Sequence, residues 1–121
     1  MGQSDNQNLR KAKVVRHTDL EVYQRAFVVA MDVFKLTKTF PVEERYSLTD
    51  QIRRSSRSVA ANIAEGCGYD PGPQRRHHYR IALGSAAEVC SLLDLVELPG
   101  GAQKQQELRR VGAMLVRMIR A

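Results

Sequence analysis

The chain has 121 residues, enough for one compact domain and too few for two. Hydrophobic residues make up 43% and charged residues 26%, with a net charge of +6 that favours acidic partners, nucleic acid ahead of an anionic membrane. Cys67 and Cys90 form no CxxC pattern, no apolar run approaches the roughly 20 residues of a membrane span, and the N-terminus lacks an apolar signal core. A disulfide framework, a zinc site, a spanning helix and a secretory leader are therefore not expected, and a cytoplasmic protein with reduced thiols is.

Residues 1–18 are polar and basic, with Arg10, Lys11, Lys13 and Arg16, and read as a flexible tail ahead of a domain over 19–121. The first helix is expected to start at Thr18, where Thr18 and Glu21 have the spacing of a capping box, and to end at Phe40-Pro41. It carries two apolar stripes at helical spacing. One is Leu20, Tyr23, Phe27, Ala30 and Phe34; the other is Val22, Ala26, Val29, Val33 and Leu36. An outer helix of a small bundle needs one such stripe. The second implies contact with another subunit, and Val22, Ala26, Val29, Val33 and Leu36 are assigned to that interface.

The second helix is expected from Ser47, capped with Asp50, to Gly66 or Gly68, where glycine suits a left-handed terminus. Leu48, Ile52, Ser55, Val59, Ile63 and Gly66 mark its packing face, rich in small residues. Arg53, Arg54 and Arg57 lie away from it. Asn62, at the edge of the stripe, needs hydrogen-bond partners. Asp70-Pro71-Gly72-Pro73 is a turn, with Pro73 at a helix start and a third helix to Glu97. Arg75, Arg76, His77, His78 and Arg80 crowd its first turns, where positive charge opposes the helix dipole, so an acidic partner would relieve the repulsion. Adjacent histidines point about 100° apart, which argues against a shared metal. Pro99-Gly100-Gly101 breaks the chain before a fourth helix over 102–121. There Arg109 and Arg110 add charge, and the helix dipole accounts for Arg117 and Arg120. No segment alternates with period two, so the expected fold is all-α: an antiparallel up-down-up-down four-helix bundle.

The pattern Leu20-Glu21-Val22-Tyr23-Gln24-Arg25-Ala26, Leu48-Thr49-Asp50-Gln51-Ile52-Arg53-Arg54-Ser55, Ser58-Val59-Ala60-Ala61-Asn62-Ile63-Ala64-Glu65-Gly66 and Ile81-Ala82-Leu83-Gly84-Ser85-Ala86-Ala87-Glu88 resembles the bacterial four helix bundle protein family. That family includes the 23S rRNA intervening-sequence proteins and the accessory proteins of diversity-generating retroelements. The resemblance implies a homopentameric ring, no enzyme activity, no cofactor, and, for the retroelement members, binding to reverse transcriptase and to nucleic acid through a basic surface. The turn Tyr69-Asp70-Pro71-Gly72-Pro73 departs from the pattern, since relatives usually carry a basic residue and a Ser cap there.

No Ser-His or Cys-His arrangement with a recognisable base appears, and Gly66-Cys67-Gly68 lacks the ending of a phosphate loop. The expected function is therefore non-enzymatic: an oligomer that binds RNA or DNA through Arg53, Arg54, Arg57, Arg75, Arg76, His77 and Arg80. With 6% aromatic residues and no Trp, base stacking is a poor fit and structured RNA or a duplex backbone a better one. The alternative is an oligomeric scaffold whose arginines serve assembly or a protein partner, such as a reverse transcriptase if the gene is retroelement-associated.

Overall fold

The computed structural model describes residues 16–40 and 48–121. Four helices account for nearly all of this: α1 (Glu21–Thr37), α2 (Asp50–Cys67), α3 (Pro73–Leu95) and α4 (Gly101–Arg120). Among the described residues there is no strand. Of the expected tail over 1–18, residues 1–15 lie outside the described residues, as does the Ser47 cap, and the tail's last two residues enter a 3-10 turn, His17–Asp19.

Each helix packs on two neighbours, so the four stand at the corners of a square, with α1 beside α2 and α4, and α3 beside the same two. Contacts pair ascending with descending residue numbers. Ser55, Ser58 and Asn62 meet Glu88, Ser85 and His78 along α2–α3. Cys90 meets Gln105, and Leu83 meets Gly112, along α3–α4. Leu20 and Val22 line one cleft with Met114 and Met118, while Asp32 meets Lys104, along α1–α4. These pairings make the bundle antiparallel, as the short connections predict.

Helix boundaries differ from expectation in instructive ways. Thr18 does not cap α1. Residues His17–Asp19 form a single 3-10 turn, α1 is entered from an extended Leu20, and the Gln24 side-chain amide donates to the Thr18 carbonyl (2.8 Å). The end of α2 is not left-handed: Gly68 has φ −76°. Pro73 does occupy the first turn of α3, which stops at Leu95, two residues short of Glu97. Gly100 is the left-handed residue, with φ +83°, and it lets the chain reverse into α4 with Gly101 N–H donating to Leu98 (2.8 Å).

The core is built from Val33, Ile52, Val59, Ile63, Ala82, Val89, Val111 and Leu115, all fully buried. Across the α2–α3 seam Ser55, Ser58 and Gly66 meet Glu88, Ser85 and Tyr79, and the small side chains on α2 let the two backbones approach closely. Gly66 is small for a packing reason: the Tyr79 ring occupies the space beside it.

The two stripes of α1 have exchanged roles relative to expectation. Val22, Ala26, Val29 and Val33 are at most 2% exposed and belong to the chain's own core, with Leu36 packed partly against it. They are not a free subunit interface. The face left outside is the aromatic one, with Phe27 48%, Met31 44% and Phe34 41% exposed. Sequence periodicity finds two apolar faces but does not say which one the rest of the chain covers.

Candidate nucleic-acid interface

The seven basic residues singled out from the sequence do not form one patch. Arg53 is a strut between α1 and α2. Its Nε donates to Thr37 Oγ1 (2.8 Å), its Nη2 lies 3.4 Å from the Phe34 carbonyl, and the guanidinium carbon stands 4.5 Å from the Phe34 ring centroid. Thr37 is fully buried and its hydroxyl donates to the Val33 carbonyl (2.7 Å), leaving a lone pair for Arg53. Such a group, hydrogen-bonded and over an aromatic face, stabilises the fold and is poorly placed for a phosphate.

Arg75 is likewise occupied. Its guanidinium donates to the carbonyls of Gly66 (3.3 Å), Cys67 (3.3 Å) and Tyr69 (2.9 Å). The last carbonyls of a helix lack intrahelical partners and carry partial negative charge, so Arg75 caps the C-terminus of α2 from the first turn of α3. Arg54 is exposed and paired with Asp50 one turn back (2.6 Å). An exposed pair of this kind is weak and screened by salt.

Arg57, Arg76 and Arg80 meet no carboxylate among the described residues. Arg57 and Arg80 are exposed, Arg76 half-buried. His77 is exposed, its ring 5.5 Å from that of His78. The residues that retain free charge thus sit mainly on the outer face of α3's first half, with Arg57 apart on α2.

Between the two helices runs a polar ladder that the sequence hinted at only through Asn62. The Asn62 amide nitrogen donates to the Ser58 carbonyl (2.9 Å) and hydroxyl (3.1 Å), so its oxygen faces His78 Nδ1 (3.2 Å) as acceptor. That arrangement places the proton on Nδ1, with Glu65 Oε2 3.6 Å away and the Tyr69 ring stacked on the imidazole (5.4 Å). Ser58 and Ser85 share a hydrogen bond (2.8 Å), and Ser55 donates to Glu88. Glu65 and Glu88 are therefore taken up by the ladder and pair with none of the arginines of α2. A helix-to-helix partner of this kind depends on register, which composition does not reveal.

A second polar clamp joins α1 to α4. Lys104 Nζ donates to Asp32 (2.6 Å) and lies 3.4 Å from Glu107. Burial by itself pulls the Lys104 pKa down, but the hydrogen bond to Asp32 and the charges of Glu107 and Asp32 outweigh it and raise it above the ordinary 10.5. Among the described residues no cluster has the make-up of a metal site and no helix is long and apolar enough to cross a membrane.

No curated protein matches the chain. A family model described as 23S rRNA-intervening sequence protein matches residues 18–120.

Proposed function

The chain belongs to the 23S rRNA-intervening sequence protein family, and from that premise we propose that it is a non-enzymatic cytoplasmic protein that self-associates and binds nucleic acid, structured RNA first. The observation that carries this reading is the set of arginines without a carboxylate: Arg76 and Arg80 with His77 on α3, and Arg57 on α2. Guanidinium groups pair with phosphate oxygens in a planar, bidentate manner, and no carboxylate among the described residues competes for these. The family's description, which refers to ribosomal RNA, supports RNA over DNA. Arg53 and Arg75 drop out of the surface because they hold helices together, and Arg54 is partly neutralised by Asp50.

Self-association is carried by the exposed aromatic face of α1. Phe27, Met31 and Phe34, with Tyr23 stacked on Phe27 (6.1 Å between centroids), form a contiguous apolar strip that a second copy would cover. A pentameric ring is the assembly that the family resemblance favours. The same strip supports the competing reading, a scaffold that presents this face to a protein partner. An anisotropy titration of the nucleic-acid-free protein with a folded RNA, a DNA duplex and single-stranded DNA, at low and near-physiological salt, separates the two. Retained, RNA-preferring binding near 0.15 M salt is expected. Indiscriminate binding confined to low salt would leave the scaffold reading.

A further inference from the structure

The antiparallel register gathers charge at one end of the bundle in a way that linear order conceals. In α3, no carboxylate occurs between Pro73 and Ala87; in α4, none occurs after Glu107. Leu83 stands against Gly112, and Gln105 donates to the Cys90 carbonyl (2.9 Å). Continuing that register one residue for one residue puts Arg76 level with Ile119 and Arg80 level with Leu115. The two acid-free halves therefore lie side by side. The start of α1 and the end of α2 close the same end, since Leu20 lines a cleft with Met118 and Arg75 caps Gly66.

Cut at the level of Arg109, the segments forming this end, 16–28, 57–86 and 109–121, hold ten arginines and four carboxylates. The remaining described residues hold five Lys or Arg and six carboxylates. The bundle is thus polarised along its axis, positive at one end and balanced at the other. All the fixed cations of the positive end are arginine, the residue suited to bidentate phosphate contacts. Arg25 is paired with Glu21 and Arg75 is used as a cap, but Arg76, Arg80, Arg109 and Arg120 meet no carboxylate among the described residues.

Helical phase orients two α4 arginines toward α3. Eleven residues separate Arg109 from Arg120, three turns to within about 20°, so they share a face. Cys90 on α3 reports the proximity: burial raises its thiol pKa, and the Arg109 charge pulls against that rise. Arg117 turns the other way, into the cleft with Leu20 and Glu21. The resulting strip is about 16 Å long at 1.5 Å per residue, and about 10 Å across at ordinary helix spacing.

We propose that this end of the bundle, where Arg76 and Arg80 of α3 lie beside Arg109 and Arg120 of α4, is the phosphate-binding surface, and that it takes the backbone of duplex or folded RNA. The inference rests on the nucleic-acid reading above and adds α4 to it. Contacts to phosphate carry position and affinity but little sequence information, so the surface reads helical RNA shape in preference to bases.

The test is an anisotropy titration of the full-length protein against a fluorescein-labelled 20-base-pair RNA duplex between 50 and 300 mM salt. The variants are R76Q/R80Q, R109Q/R120Q and a charge-matched control at the balanced end, K35Q/R54Q. Each of the first two is expected to flatten the dependence of log K on log salt by about 1.8, and to weaken binding about 30-fold at 0.15 M salt. The control should leave the slope unchanged. Wild-type binding with an unchanged slope in R109Q/R120Q overturns the assignment of α4 while leaving the nucleic-acid reading intact. Equal losses in all three variants also overturn it, because net charge and not a site would then be responsible. Absence of wild-type binding to any nucleic acid removes the reading and the inference together. The α4 pair is exposed, so its result stands even if the half-buried Arg76 proves necessary for folding.

Discussion

Tyr79 fills the space that a side chain at Gly66 would need: a Cβ built there would stand 2.7 Å from the ring's Cε1 and 3.2 Å from the Arg75 carbonyl oxygen. Tyr79 is buried, and burial also raises its phenol pKa. Gly66→Ala is therefore expected to force α2 and α3 apart and cost about 1–3 kcal/mol, in spite of alanine's better helix propensity. Urea denaturation followed by circular dichroism measures this. A gain in stability would show that the ring can move aside freely.

Arg53 separates structural from binding arginines. Arg53→Ala removes the hydrogen bond to Thr37 and the contact with Phe34, with an expected loss of about 1–2 kcal/mol. Its salt dependence of RNA binding should match the wild type. A flattened slope in a variant of undiminished stability would return Arg53 to the binding surface.

The Lys104 clamp predicts a base-side loss of stability. A lysine whose folded pKa is raised contributes stability that is complete below its unfolded value near 10.5 and disappears as pH rises through the folded value. Wild-type melting temperature is expected to fall more steeply above that pH than that of Lys104→Met. At neutral pH the variant should be less stable by about 1–3 kcal/mol, since Asp32 and Glu107 lose their partner. Parallel pH profiles for the two proteins would exclude the clamp as the cause.

The two faces of α1 should respond oppositely to charge. Phe27→Glu, on the exposed face, is expected to leave the helical content intact and shift the protein to monomer by light scattering coupled to size exclusion. Val29→Asp, in the core, is expected to unfold the chain, because an unpaired buried carboxylate costs several kcal/mol. A Phe27→Glu oligomer identical to the wild type would direct the search for the subunit contact elsewhere.

The number, order and approximate limits of the helices were legible in the residues, because Pro73, Pro99-Gly100-Gly101 and the three-four apolar spacing are local signals. So was the close packing of α2, read from Ser55, Ser56, Ala60 and Gly66. What stayed hidden was tertiary. Which stripe of α1 faces inward depends on the other three helices. Arg75 looks like surface charge until the end of α2 is brought to it, and the Gly66, Cys67 and Tyr69 carbonyls that take it up leave no mark in side-chain identity. Likewise, the Thr18–Glu21 spacing satisfies the capping pattern, yet the backbone enters α1 through Leu20 and Gln24.

The small-residue seam between α2 and α3 bears on the order in which the chain assembles. Only residues 68–72 connect the two helices, so bringing them together loses little loop entropy, and their interface is the most extensive in the bundle. The hairpin is therefore expected to form early, with α4 following across a similarly short link. By contrast, among the described residues α1 packs less extensively on its neighbours. Amide exchange should therefore be fastest in α1 and slowest along the hairpin. The helix with the uncovered aromatic face is thus the one its own chain holds least tightly, so docking a second copy there would also complete the fold of the first.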